Sequence, residues 1–235
     1  MGGIRMKKIG LIGGMSWEST VDYYKILNRE VQKKLGEPHS AEIIMYSVDF
    51  AEIEKHQLAG EWSKLSEKMI VIAQKLEAAG ADMILIGANT MHQMAPRVQA
   101  DISIPLLHIA DAAAERIEAE AYKKVGLLGT KYTMEGDFYK NRIEEKYDIE
   151  VIIPEQEARD YIHQVIYQEL ISGILKDESR EQFKKIINSL KEKGAEGIIL
   201  GCTEIPLLIK NKDSSLPIFN TTELHAKKAV QFALE

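Results

Sequence analysis

Cys202 is the only cysteine among 235 residues, and it follows an apolar run in the segment GAEGIILGCTEIP at 194–206. A thiol at the end of a strand is placed for proton transfer, because a free thiol titrates near pH 8.5 and the start of a following helix draws it toward neutrality. Glu204, two residues on, could cap that helix, accept hydrogen bonds or orient a neighbouring base, and its charge would raise the thiol pKa. The segment has a counterpart, GADMILIGANTMH at 80–92, in which Ala88 stands at the position of the cysteine. Two matched strand ends could present an acid and a base to one small molecule from opposite sides. Here only one of the two positions carries a titratable group.

Those strand ends belong to a larger repeat. IGLIG at 9–13 is matched by VGLLG at 125–129, and Ile104-Pro105 by Leu216-Pro217. Three matches in one order at an offset of about 115 residues indicate two related halves, since solenoid repeats run to roughly 20 to 50 residues. Short apolar runs bounded by Gly or Pro read as strands at 8–12, 42–47, 83–86, 106–109, 125–128, 150–153, 197–200 and 218–219. Amphipathic stretches at 17–35, 62–79, 110–124, 161–173 and 181–193 read as helices. Thr133 and Asp177 read as helix starts, and Gly80 and Gly194 as left-handed residues that end helices. Strand and helix in alternation require parallel sheets covered on both faces. The expected fold is therefore α/β, with two similar doubly wound parallel-sheet domains. The expected domains are 1–107 plus 216–235, and 108–215, with the C-terminus crossing back to complete the first.

In open α/β sheets ligands bind beyond the carboxyl ends of the strands. The residues to weigh are thus Gly13-Gly14-Met15-Ser16, Ser47, Asn89-Thr90, the stretch 130–133, and Cys202-Thr203-Glu204. Small and neutral-polar groups with free amides suit a carboxylate. GGMSWES lacks the GxGxxG pattern, and GxxxxGK[ST] is absent, which argues against dinucleotide and nucleotide sites. Gly13 and Gly14 either permit a tight turn or also offer amides to substrate; the second is the expectation here. His92 and His225 could approach a cleft, but hydrogen-bonded structural roles are the simpler reading.

A formal charge of −6 argues against nucleic-acid binding, which draws on clustered Lys and Arg. One cysteine allows no internal disulfide or zinc quartet, and no metal, ligand cluster or Schiff-base lysine emerges. The apolar run at 9–12 is too short for a signal-peptide core or membrane span. The expectation is a cytoplasmic protein, with Met6 as its natural start and the first five residues an extension.

IGLIGGMSWEST, GANTMH, LLGTKYTMEGDFY and LGCTEIPLL together resemble the aspartate/glutamate racemase family over nearly the whole chain. The resemblance implies a homodimer of two-domain subunits with pseudo-twofold symmetry, the substrate held between the domains, and no cofactor. It implies two cysteines on opposite faces of the substrate α-carbon, one removing the proton and the other returning it. Carried over by position, one of these is Cys202, and Ala88 occupies the place of the other. Asn89, Thr90 and Thr203 match positions that hold the α-carboxylate and amino group, while Met15, Ser16, Thr130 and Thr133 match loops lining the cleft. Where some aspartate-specific members carry Arg and Lys for the side-chain carboxylate, this chain is apolar, near Ile53 and Ile171; Lys55, Lys131 or Arg159 are the candidate substitutes. The expected activity is racemisation of aspartate or glutamate by Cys202 and a non-cysteine partner: Thr90, Tyr132, Thr133 or a water. The alternatives are single-face chemistry on small dicarboxylates, resembling the arylmalonate decarboxylases, and a carboxylate-binding homologue with impaired catalysis.

Overall fold

The computed structural model describes residues 6–235, so the expected five-residue extension lies outside it. The chain divides into two compact units: the described residues up to Ile109 with His225–Glu235, and Ala110–Leu224.

In the first unit, β1 (Ile9–Gly13) leads through α1 (Trp17–Leu35) to β2 (Ile43–Ser47), and α2 (Phe50–Leu58) and α3 (Trp62–Ala78) lead to β3 (Met83–Ile86). A 3-10 turn, Thr90–Met94, and α4 (Ala95–Ala100) follow. The sheet is parallel in the order β2-β1-β3. Alternation along the strands divides the core. Ile9, Leu11, Met83 and Leu85 face Tyr23, Leu27 and Val31 of α1, together with Ala226, Ala229, Val230 and Ala233 near the C-terminus. Ile12, Ile84 and Ile86 face Leu65, Met69, Ile72 and Ala73 of α3. Spacings of three and four on the helices and two on the strands put each set on one face. Each Val, Leu, Ile or Met among them, fully buried, is worth about 1.5–3 kcal/mol. Lys7 N–H donates to the Ala233 carbonyl at 2.9 Å, which fastens the C-terminal helix to this unit. The expected strand at 106–109 reduces to one parallel bridge, Leu106 with Ile84, because helix α5 (Ile109–Ala119) has already begun. That helix is shorter than the expected 110–124 and leaves Lys124 to open the next strand.

The second unit continues with β4 (Lys124–Gly129), α6 (Lys131–Glu135), α7 (Asp137–Tyr147), β5 (Glu150–Ile152), α8 (Gln156–Gln168) and α9 (Asp177–Glu192). Then come β6 (Gly197–Gly201), α10 (Ile205–Leu208), β7 (Ile218–Asn220) and α11 (Thr221–Leu234). This sheet is parallel too, in the order β5-β4-β6-β7. The duplication seen in the sequence recurs in the pairing register. Ile9 pairs with Met83, and their counterparts Val125 and Gly197 pair; Ile84 bridges Leu106, and their counterparts Ile198 and Ile218 pair. Strand β7 therefore lies in the second sheet, and it is the stretch from His225 onward that groups with the first unit.

Helix starts differ from the sequence expectation where first turns are polar. Helix α8 begins at Gln156 rather than 161, since its burial starts only at Ile162 and the leading QEARD carries no apolar signal. Helix α9 begins at Asp177, the helix start its acidic residues marked, four residues ahead of the amphipathic stretch at 181–193. Helix α2 was not anticipated; Asp49 caps it by accepting from the Ala51 amide at 3.1 Å. Gly80 and Gly194 have φ of 93° and 91°, as a left-handed helix end requires. In the second unit Asp111 ties α5 to α7: it accepts from Arg142 at 2.6 and 2.8 Å and from Lys146 at 2.8 Å. Burial opposes its ionisation, but the bonds from Arg142 and Lys146 prevail and hold the carboxyl below its usual range. No helix among the described residues is long and apolar enough to cross a membrane.

Candidate active site

Parallel pairing of Gly129 with Gly201 puts Thr130 and Cys202 next to each other in register, just past the carboxyl ends of β4 and β6. Cys202 is 6% exposed and in no disulfide. Its Sγ donates to Glu204 Oε2 at 3.1 Å, and the Thr203 hydroxyl donates to the same oxygen at 2.8 Å. All three side chains are buried. Two donors on one carboxylate oxygen fix its position and point the thiol proton at it.

Electrostatics correct the expectation of a thiol drawn toward neutrality. Helix α10 is a single turn of four residues, too short for an appreciable dipole. Burial raises the Cys202 pKa most, and the Glu204 charge raises it further; backbone amides of Glu204 and Ile205 directed at the sulfur favour the thiolate but are outweighed. The resting state is a neutral thiol beside a carboxylate.

Thr130 caps α6: its Oγ1 accepts from the Thr133 amide at 3.2 Å, and the two hydroxyls lie 3.2 Å apart. The cap thus falls at Thr130 and not at Thr133, which is fully buried. Thr133 also sits against the bare backbone at Gly201, where a Cβ would lie 3.4 Å from its Cγ2. Lys131 pairs with Asp160 at 2.7 Å and Arg159 with Glu135 at 2.8 Å, so both candidate substitutes for a side-chain carboxylate clamp already hold a carboxylate. Lys55 is exposed.

In the first unit, the Gly87 amide donates to the Ile12 carbonyl at 2.8 Å, which brings Ala88, Asn89 and Thr90 to the same sheet edge as the loop after β1. Ala88, Asn89 and Thr90 are buried, as are Met15 and Ser16. The glycine turn does not offer the Gly14 amide outward: that N–H donates to Thr20 Oγ1 at 2.8 Å, and the same hydroxyl donates to the Ser16 carbonyl at 2.8 Å. Gly14 has φ of 90°, and a Cβ there would lie 2.3 Å from the Val48 carbonyl oxygen, so the turn demands glycine. Ile53 is fully buried in the core.

His92 and His225 take structural hydrogen-bonded roles. The Ile109 amide donates to His92 Nε2 at 3.2 Å, so the ring proton is on Nδ1, which donates to the Ala88 carbonyl at 2.8 Å. His225 Nε2 donates to the Leu107 carbonyl at 2.8 Å and its Nδ1 meets the Tyr23 hydroxyl at 2.9 Å. The motif GANTMH holds both His92 and Ala88 but gave no sign of Ile109, and the partners of His225, Tyr23 and Leu107, lie far along the chain.

Burial, with His92 beside it, pushes the His225 imidazole down to about 3. The unfolded imidazole binds a proton below about pH 6.5, so this residue's contribution is complete above that pH and is lost as pH falls toward 3. The slope is about 1.4 kcal/mol per pH unit. Between about pH 6.5 and 5, His225→Gln is expected to show a shallower loss of stability than the parent by denaturant titration; equal slopes would contradict the assignment.

Among the described residues no group of three or more His, Cys, Asp or Glu is arranged to hold a metal ion. Compared with known proteins, the sequence matches the Asp/Glu/hydantoin racemase family over residues 12–229. The broad specificity amino-acid racemase RacX of Bacillus subtilis (strain 168) is 26% identical over 228 residues, covering 94% of this chain and 96% of that one. A Yersinia pestis protein classed as an Asp/Glu racemase has a crystal structure that superposes with a TM-score of 0.91 at 48% identity, covering 98% of this chain and all of its own (100%). An aspartate racemase homologue from Pyrococcus horikoshii OT3 superposes with a TM-score of 0.84 at 40% identity, covering 98% and 100%.

Proposed function

We propose a specific reaction for this chain, which belongs to the Asp/Glu/hydantoin racemase family: inversion of aspartate or glutamate at the α-carbon, without a cofactor, with Cys202 as one acid/base. Amino-acid racemisation, an isomerase reaction, accompanies that family membership. The observation that carries it is the buried hydrogen-bonded set of Cys202, Thr203 and Glu204.

A buried thiol that must lose its proton to solvent beside a carboxylate would create two adjacent negative charges, which the pKa direction shows to be unfavourable. Passing the proton from Sγ to Glu204 Oε2 leaves the charge of the pair unchanged and generates the thiolate at the strand end. That thiolate takes the substrate α-proton, regenerating the thiol, and a donor on the opposite face protonates the carbanion to complete inversion. As the site resets, Glu204 releases its carboxyl proton and the opposite-face donor takes one from solvent. In the reverse direction the Cys202 thiol is the donor. Asn89, Thr90 and Thr203 are proposed to hold the α-carboxylate and amino group, with Met15, Ser16, Thr130 and Thr133 on the surrounding loops. Position 88 supplies no proton, so the second donor is a hydroxyl, Thr90, Tyr132 or Thr133, or a water. Because a hydroxyl is a far weaker base than a thiolate, turnover should be slow; kcat/KM stays equal in the two directions, since the enantiomers have equal free energy. A homodimeric cytoplasmic enzyme completes the proposal.

The deciding experiment incubates the protein with each enantiomer of aspartate and glutamate in deuterium oxide, followed by chiral chromatography and mass spectrometry. The expected result is slow formation of α-deuterated product of inverted configuration from both enantiomers of the preferred substrate. No α-exchange with any of the four would sink the reading. Ala88 favours one competitor specifically, single-face chemistry, and its signature is deuterium incorporation with retained configuration.

A further inference from the structure

We infer that His92 is a positioning residue that holds the backbone of position 88 in place for a reacting group there, an inference that rests on the proposed racemase reading. Residue 88 lies beyond the last ladder pair of β3, and its carbonyl is bonded by the ring of His92, four residues on, at 2.8 Å. The other ring nitrogen accepts the amide of Ile109 at 3.2 Å. Ile109 is the first residue of α5, where backbone N–H groups have no partner within the helix. One neutral, rigid imidazole thus joins two buried backbone groups that regular structure leaves without partners, one at a strand end and one at a helix start. Fixing the Ala88 carbonyl fixes the peptide between Ala88 and Asn89, and so the direction of both side chains that flank it.

A second imidazole braces the first. The ring of His225 lies edge-on to that of His92, with centroids 5.6 Å apart, and it bonds the Leu107 carbonyl and the Tyr23 hydroxyl. His108 packs against His92 from another side at 4.6 Å between centroids. His92 and His225 are fully buried, as is Tyr23. The turn at 107–109, helix α1 and the C-terminal helix α11 therefore all bear on the residue-88 backbone through two hydrogen-bonded rings. A side chain placed at 88 inherits a direction set by His92, although His92 itself touches no substrate.

The test installs a reacting group and asks whether His92 governs it. Ala88→Cys is expected to raise racemisation about tenfold or more, since a positioned acid–base group contributes roughly 10²–10⁴-fold. The gain, taken as the ratio of rates with and without Ala88→Cys, is then measured in the parent, His92→Asn and His92→Gln backgrounds. Asparagine places an N–H where Nδ1 donates to the Ala88 carbonyl; glutamine places an acceptor where Nε2 meets Ile109. Positioning predicts that the gain survives in His92→Asn and falls to less than about threefold in His92→Gln. A purely structural role would lower both members of each pair alike and leave the ratio unchanged, which overturns the inference while the racemase reading stands. An Ala88→Cys variant with no gain in the parent background overturns both. Thermal melting of each variant confirms that rates are compared between folded proteins.

Discussion

Cys202→Ser is expected to lower racemisation of the preferred acidic amino acid by about 10³-fold, within the range a single acid–base group supplies. Serine preserves the shape of the site: its hydroxyl can donate to Glu204 Oε2 as the thiol does at 3.1 Å, and the Thr203 bond at 2.8 Å is untouched. What changes is the ease with which the group gives up its proton. A thiol beside a carboxylate can yield a thiolate by transfer across one hydrogen bond, whereas the alkoxide that serine would have to form lies many pKa units higher. The effect should fall on kcat with little change in KM, because the α-carboxylate and amino group are assigned to other side chains. Chiral assay of purified, folded Cys202→Ser settles the point, and racemisation within tenfold of the parent would refute the role of this thiol. Exchange measured in deuterium oxide adds a second readout. If Cys202 serves one face only, wash-in from the enantiomer it deprotonates should vanish with the thiol, while any slow exchange through the other face persists.

Much of the architecture was readable from periodicity. Short apolar runs separated by amphipathic stretches defined the parallel strands, and the repeated segments placed Ala88 and Cys202 at matching strand ends, a correspondence that the register of Ile9 with Met83 and Val125 with Gly197 reproduces. What failed to show in sequence did so for identifiable reasons. The first turn of α8 is polar and carries no apolar period until Ile162 reaches the interior, and α9 shows its start only through the acidic residues at Asp177, its apolar period opening at Phe183. Leu106 reads like a strand residue, yet the helix beginning at Ile109 ends the pairing after one bridge. The dependence of Ala88 on His92 is one turn long in sequence, but its meaning depends on Ile109, and the ring's tautomer follows only when both partners are known. The thiol environment was half legible. Glu204 announced itself as a charge that raises the Cys202 pKa, while the helix expected to lower it proved to be one turn.

Glu204→Gln should separate the two things this side chain does to Cys202, and the two effects run in opposite directions. Removing the carboxylate removes the charge that, after burial, does most to raise the thiol pKa, so the pH profile for alkylation of Cys202 by iodoacetamide should move to lower pH. The sign follows directly: a like charge disfavours the thiolate, and its loss favours it. Racemisation should nevertheless fall, by about 10²-fold or more, because glutamine cannot take the proton that the carboxylate takes from Sγ. Its amide oxygen can still accept the Thr203 hydroxyl now bonded to Oε2 at 2.8 Å, so the loop geometry is kept. A structural anchor would behave otherwise. If Glu204 only held the turn after β6, glutamine would still move the profile, because the charge is gone, but would preserve the rate; if the turn collapsed, alkylation and racemisation would change together with a fall in melting temperature. A more reactive thiol that catalyses less, in a protein that melts as the parent does, is the pattern that identifies the carboxylate as the proton's destination. A racemisation rate unchanged in Glu204→Gln would instead leave solvent as that destination, and the thiolate would then have to form against the burial that holds Cys202 neutral at rest.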